Sequence, residues 1–203
     1  MPGADASNEL IVGARTLLTG RARRGAVLAA WLILGLPAAA AHGEDAAQTA
    51  VKASYLAKLA PFVDWPATAF SGPSDPLTVC VVGADPFGAS LDRALAGQTV
   101  RSRAIVVRRM ARASRQSGCQ IMYLGGSAAQ PVKDALKVMH GAPVLTVTAE
   151  AEAAGIIDLV LEGDRVRLRI DDAEAAQDGL TISSKLLGLA KSVKQRPAAG
   201  GAR

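Results

Sequence analysis

The chain has 203 residues and a net charge of +5 at neutral pH, and half of its residues are hydrophobic. This length predicts one domain of ordinary size with a sizeable core, built mainly from Ala, Val, Leu and Ile because aromatic residues are few. The two histidines, His42 and His140, are too few for a histidine-based metal site, and we predict no bound metal.

The first 41 residues have the pattern of a secretory signal peptide. Basic residues (Arg21, Arg23 and Arg24) precede an apolar run from Gly25 to Leu36, and small residues follow at 38–41. The run is too short to cross a bilayer of about 30 Å comfortably. We therefore expect a periplasmic protein that is cleaved near residue 42 or 44 and is not inserted in the membrane afterwards.

Export also narrows the choice of partners. Removal of residues 1–41 takes away four arginines and two acidic residues, which lowers the net charge from +5 to about +3. Nucleic acid is the wrong partner for an exported chain, so we expect none.

A helix is predicted over residues 46–63. Its apolar residues recur at helical spacing and are expected to face the core, and they are Val51, Tyr55, Leu59, Phe62 and Val63. Trp65 ends this segment because the residue before a proline is disfavoured in the helical region.

Three β-strands and one helix are predicted next. Leu77–Gly83 reads as a strand buried on both faces, and Asp85 with Pro86 reads as the start of a helix that ends at Gly97. Arg103–Met110 is a second strand and Cys119–Leu124 a third. Such an alternation predicts a mainly parallel α/β sheet with helices on both faces.

A possible anion site follows the third strand. Gly125, Gly126 and Ser127 precede a helix that is expected to run to His140, and free amides at a helix start bind anions. Pro143–Thr148 is then predicted as a fourth strand.

The C-terminal part is predicted to contain a β-hairpin and helices. Residues 156–162 and 165–170 form the two hairpin strands, Asp171 or Asp172 begins a short helix, and a last helix runs from Ser183 to Val193. The folded domain is expected to span residues 46–193, followed by a disordered tail over 194–203.

One face of the predicted hairpin is charged. Strand alternation places five residues on it, namely Asp158, Val160, Glu162, Arg167 and Arg169. Complementary charges across the strands explain this pattern by stability alone. The alternative is a small protein-binding patch around the apolar Val160, in which Val160, Arg167, Arg169 and the adjoining Asp172 contact a partner.

The two cysteines are expected to form a structural disulfide bond. In an oxidising compartment two cysteines normally pair, and Cys80 can approach Cys119 if the first and third strands are neighbours. A redox-active pair would have closer spacing, such as C-x-x-C. We predict no catalytic residue and no cofactor, because the chain lacks a nucleophile motif and only His140, near a helix end, could serve as base.

Four motifs resemble, in the same order, those of the YfiR-like periplasmic proteins. They are VKASYLAKLAPFVDWP at 51–66, VCVVGADPFG at 79–88, PVLTV at 143–147 and ISSKLLGLA at 182–190. The resemblance covers nearly all of the mature chain. It implies an α/β sandwich that tends to form a homodimer, and a disulfide bond at the positions of Cys80 and Cys119.

The resemblance also implies a function. It points to an exported negative regulator that binds the periplasmic sensor domain of a membrane-bound diguanylate cyclase and so lowers cyclic-di-GMP signalling and biofilm formation. Some relatives carry a second disulfide bond nearer the C-terminus, for which this chain has no cysteines. The alternative is a periplasmic receptor for a small anionic or aromatic ligand that feeds a membrane sensor such as a histidine kinase.

Overall fold

The sheet at the centre of the fold is built on the buried strand predicted at residues 77–83. A computed structural model describes residues 40–149 and 152–197. In chain order the strands are β1 (Val63–Asp64), β2 (Leu77–Gly83), β3 (Thr99–Val100), β4 (Arg103–Met110), β5 (Ile121–Gly126), β6 (Leu145–Thr148), β7 (Ile157–Glu162), β8 (Arg165–Asp171), β9 (Thr181–Ile182) and β10 (Ser192–Lys194). The helices are α1 (Ala40–Leu59), α2 (Ala89–Leu95), α3 (Val132–Met139), α4 (Asp172–Gln177) and α5 (Ser184–Leu187).

Eight of these strands form one sheet in the order β10-β8-β7-β6-β5-β2-β4-β3. The pairs from β4 through β2, β5 and β6 to β7 are parallel, as is the pair of β10 with β8. The β7–β8 and β3–β4 pairs are antiparallel. The predicted mainly parallel sheet with a C-terminal hairpin is confirmed, and β1 and β9 form a separate two-stranded ladder.

Helices cover both faces of the sheet. On one face α1 and α2 pack against residues such as Val79, Val81 and Tyr123. On the other face α3 packs against their sequence neighbours Val82 and Met122. Because successive side chains of a strand point to opposite faces, a continuous apolar run such as β2 supplies both cores.

The predicted apolar face of residues 46–63 is confirmed at Leu59 and Val63, which are buried, but not at Val51 and Tyr55. The buried residues of α1 also include Ala53, Leu56 and Ala57, whereas Val51 and Tyr55 are exposed. Small alanine side chains let a helix approach a sheet closely, and the prediction favoured the larger residues instead. None of the described helices is long and apolar enough to cross a membrane.

Several helix boundaries also differ from the prediction, and α1 ends at Leu59 rather than at Val63. Helix α2 begins at Ala89, since the carboxylate of Asp85 accepts hydrogen bonds from the amides of Phe87 and Gly88 and so closes a turn before the helix. Helix α5 ends at Leu187 rather than at Val193. The chain then pairs as β10 with the free edge of β8, where the Lys191 amide donates to the Leu168 carbonyl.

The predicted chain ends fall mostly outside the described residues. That holds for residues 1–39 of the predicted signal peptide and for residues 198–203 of the predicted tail. The first residues of that tail are ordered, since Lys194 ends β10 and Arg196 forms an ion pair with Asp172.

Candidate functional site

The two cysteines form a disulfide bond between the central strands. Strand β2 lies beside β5, and Cys80 on β2 is bonded to Cys119, two residues before β5, with their Cα atoms 5.9 Å apart. Both residues are buried. Their position in the core under α3 is that of a structural bond, as predicted.

The register of the hairpin agrees with the predicted faces. Ile157 lies opposite Ile170 and Leu159 opposite Leu168, and these side chains are in the core. On the opposite face Asp158 lies opposite Arg169, and Val160 lies opposite Arg167. The two residues of this face nearest the sheet centre, Asp158 and Thr148 of β6, are buried and hydrogen bonded to each other.

Of the four predicted partner-binding residues, Asp172 does not lie on the exposed hairpin surface. Its side chain is buried, and both carboxylate oxygens accept hydrogen bonds of 2.7 Å from Arg196. The reason is that α4 starts at Asp172 and turns its first residue inward. Asp172 therefore connects α4 to the C-terminal segment.

Val160 and Arg167 are available at the surface. Val160 is half-buried and Arg167 is exposed, with its Nε 3.6 Å from Glu162. Glu162 also accepts a hydrogen bond from Lys191, which is the main reason that the pKa of Glu162 is lowered. This end of the hairpin is thus a small charged surface around one apolar residue.

The predicted anion site has a different geometry from the one expected. Gly125 and Gly126 belong to β5 and pack closely against the backbone that follows β2. The Ser127 amide donates to the carbonyl of Gln130, and α3 begins only at Val132. Because the amide of Ser127 is used and the helix starts five residues later, the glycines serve the close approach of two chain segments.

An apolar concavity lies between α1, β8 and α5. We call it the apolar groove; it encloses about 330 Å³ and is lined by Tyr55, Leu59, Phe62, Val166, Leu168, Leu186 and Leu189, with Lys58 and Arg167 also contributing. Leu189 is 64% exposed and Tyr55 is 37% exposed. Exposed large apolar side chains beside a concave surface are typical of binding sites.

The charge at the rim of the apolar groove is positive. Lys58 is exposed and has no ion-pair partner within the described part of the chain, and Arg167 lies on the β8 side. The groove offers apolar contact and positive charge, and its lining contains no acid–base pair or nucleophile suited to catalysis. It can therefore bind an apolar group that carries or adjoins a negative charge.

Sequence reasoning missed this groove. The sequence predicts that Tyr55 faces the core and that Leu189 lies within the last helix. The groove is formed by three segments that are far apart in the sequence, so no local sequence pattern predicts it. The available signal was the surplus of large apolar residues on α1 over those that one helix face can bury.

A family model described as YfiR/HmsC-like matches residues 49–191, which is most of the chain. The matched range contains the disulfide bond, the hairpin and every residue that lines the apolar groove. No curated protein matches the chain significantly.

Proposed function

Because the chain belongs to the YfiR/HmsC-like family, we propose that it is a periplasmic regulatory protein that restrains a membrane-bound diguanylate cyclase. In this proposal the chain binds the periplasmic sensor domain of the cyclase and holds the enzyme in a state of low activity. Loss of the chain then raises cyclic-di-GMP and favours biofilm formation. The family match over residues 49–191 is the observation that carries the proposal.

The apolar groove is the surface that we assign to the sensor domain. It combines exposed anchors, Tyr55 and Leu189, with a concave lining, and interfaces commonly bury such anchors at their centre. Positive charge from Lys58 favours a partner segment in which apolar residues are flanked by acidic ones, whereas the charge of Arg167 is partly offset by Glu162. Arg167 lies opposite Val160, so the contact extends in the proposal to Val160 and Arg169 on the hairpin.

Binding assays with variants test this assignment. The chain is titrated into the purified periplasmic domain of a diguanylate cyclase from the same genome, beginning with any cyclase encoded beside it. Leu189→Asp is expected to weaken binding at least about tenfold, because it places a carboxylate in a desolvated contact. Val138→Asp is the matched control, since Val138 is 40% exposed but lies on α3, away from the groove.

The outcomes separate the two surfaces. Weaker binding of Leu189→Asp with undiminished binding of Val160→Asp assigns the contact to the groove alone, and the opposite result assigns it to the hairpin face. Equal binding by the unmodified chain and both variants contradicts the surface assignment. Failure of the unmodified chain to bind any sensor domain contradicts the proposed function.

A second function, as a small-ligand receptor, is favoured by the size of the groove. A volume of about 330 Å³ is at the lower end of the range of ligand sites. An aromatic carboxylate would place its ring among the apolar side chains and its charge near Lys58. Native mass spectrometry of the purified protein would detect such a ligand, and Lys58→Glu should release it.

The oligomeric state is a further part of the proposal. The family resemblance implies a homodimer, and the exposed Val51, one helical turn before Tyr55 on α1, is an apolar residue that a contact between copies would cover. Sedimentation equilibrium should give twice the mass of one chain, and a monomer over the whole concentration range would contradict this.

A further inference from the structure

Three metal-ligating side chains meet at the other end of the sheet from the hairpin turn. His140 caps the C-terminal end of α3, Glu174 lies within α4, and Asp178 follows α4. Nδ1 of His140 is 2.6 Å from Oε1 of Glu174. One ligand atom from each of the three residues can be chosen so that all lie within 4.8 Å of one another.

The cluster opens on a small polar cavity. It encloses about 220 Å³, and all three side chains line it together with Thr146, Gly155 and Asp171. Cavities of this size hold several water molecules or a hydrated ion. The three side chains can therefore reach a common small ligand without rearrangement of the backbone.

Of the three side chains, Asp178 is the one whose burial is hardest to explain by its contribution to stability. It is only 4% exposed, and its Oδ1 accepts a hydrogen bond of 2.6 Å from the Gly141 amide. Its carboxylate has no ion pair among the described residues, although the positive charge of Arg115 acts on it from nearby. A buried carboxylate without a direct ion pair is unfavourable, and a bound cation would reduce that penalty.

We propose that His140, Glu174 and Asp178 form a binding site for one Zn²⁺ ion. One imidazole nitrogen and two carboxylate oxygens are a donor set that suits Zn²⁺, whereas Ca²⁺ and Mg²⁺ prefer oxygen donors throughout. Three protein ligands leave the fourth tetrahedral position to water from the cavity. Zinc lies about 2.0–2.2 Å from each ligand atom, so the His140 and Glu174 side chains must move slightly apart to admit it. The exposed side chain of His140 has room for this movement.

The charges around the site set its affinity. Arg115 donates hydrogen bonds to the carbonyls of Val138 and His140, so its positive charge opposes the metal from the α3 side. Lys194 is paired with Asp171 at 2.8 Å, which neutralises the remaining acid of the cavity. Two ligand carboxylates against one nearby guanidinium leave the site with a net negative charge.

The sequence predicted no bound metal because two histidines are too few for a site built on several histidines. A site with one histidine and two carboxylates escapes that argument, and its residues lie 34 and 38 positions apart along the sequence. The bound ion would connect the end of α3 to α4. Since Asp172 at the start of α4 holds Arg196, the ion would also stabilise the C-terminal segment.

Isothermal titration of the chelator-treated, purified chain with ZnCl₂ tests the site. We expect one ion per chain and a midpoint of thermal unfolding that rises by a few degrees at saturating zinc. His140→Ala and Glu174→Gln should each weaken zinc binding at least about tenfold, because each removes a ligand. Both side chains are partly solvent-exposed, so these variants retain the fold even if Asp178→Asn does not.

Asp134→Asn is the matched control. Asp134 is an exposed carboxylate on α3 that pairs with Lys137, so its loss should leave zinc binding unchanged. No binding by the unmodified chain, or equal binding by the His140→Ala and Glu174→Gln variants, would overturn the proposal. The test needs no cyclase, and its outcome is independent of the proposed regulatory function.

Discussion

Arg169 lies 2.5 Å from Asp158 across the hairpin, and the two side chains differ sharply in exposure. The carboxylate side chain of Asp158 is 1% exposed, whereas that of Arg169 is 50% exposed. Two nitrogens of Arg169 donate to the same oxygen of Asp158, and Thr148 donates to the other. Arg169, which the sequence suggested for partner binding, therefore balances a buried charge as well as contributing to the surface.

Arg169→Glu should consequently destabilise the fold. It removes the countercharge of a buried carboxylate and places a second carboxylate beside it. We expect the free energy of unfolding to fall by about 2 kcal/mol, less than for a fully buried pair because Arg169 is half exposed. Urea unfolding followed by circular dichroism measures this.

Arg167→Glu is the control for that experiment. Arg167 undergoes the same charge reversal one cross-strand pair away, but its ion pair with Glu162 is exposed and should contribute under about 1 kcal/mol. Equal destabilisation by both variants would mean that Asp158 does not depend on Arg169. Arg169→Glu is also a poor probe of partner binding, and Val160→Asp is preferable.

Removal of the disulfide bond should destabilise the domain by about 3 kcal/mol. The bond between Cys80 and Cys119 closes a loop with a sequence separation of 39 residues, which restricts the unfolded chain. In the double variant Cys80→Ala with Cys119→Ala, the midpoint of thermal unfolding should fall by about 6–12 °C. Thiol labelling of the denatured, unreduced protein should detect no free cysteine, and two labelled thiols would contradict the bond.

The ion pair between Arg109 and Asp85 should make part of the stability depend on pH. Partial burial alone would raise the pKa of Asp85, but hydrogen bonds from Arg109 and from the Phe87 and Gly88 amides outweigh it and lower the pKa below its ordinary value of 3.8. A carboxyl whose pKa is lower in the folded state stabilises the fold above its unfolded pKa, and this contribution is lost as the pH falls.

Arg109→Gln should therefore lower stability at pH 7, and the difference from the unmodified chain should shrink below about pH 4. Urea unfolding at several pH values measures both effects. Arg112→Gln removes the same charge from an exposed arginine outside this pair and serves as control. Arg109 also pairs with Asp92, whose pKa it lowers in the same way, so a difference that stays constant from pH 7 to pH 3 would exclude the titration of both carboxylates as its source.

A glycine at position 102, in the turn between β3 and β4, should stabilise the fold. The two residues of this turn, Arg101 and Ser102, have φ angles of 50° and 67°, as in a type I′ turn, where glycine is the preferred second residue. Ser102→Gly should raise the free energy of unfolding by about 0.5–1 kcal/mol, since glycine adopts positive φ without strain. Ser102→Ala should give no gain, and equal effects of both variants would assign the change to the lost hydroxyl.

The central strands and the hairpin could be predicted because their patterns are local. Leu77–Gly83 is a continuous apolar run, and the alternation in Ile157–Glu162 fixes which side chains face the core. The first and third predicted strands are adjacent in the usual strand order of doubly wound sheets, and this adjacency brings the two cysteines together.

Features formed by long-range contacts could not be predicted in this way. The pairing of β10 with β8 depends on a sheet edge that exists only after the hairpin has formed. The ion pair of Asp172 with Arg196 joins residues 24 positions apart, and no periodicity reveals it. The exposure of Tyr55 depends on the alanines of α1, whose packing gives no strong hydrophobic signal.

The most direct test of the proposed function is the level of cyclic-di-GMP in cells that lack this chain. Deletion of its gene should raise the nucleotide concentration, and re-expression of the unmodified chain or of Val138→Asp should restore it. Re-expression of Leu189→Asp at equal abundance should leave the concentration high, because the apolar groove no longer binds the sensor domain. An unchanged cyclic-di-GMP concentration after deletion, measured in a strain whose candidate cyclase is expressed, would contradict the account.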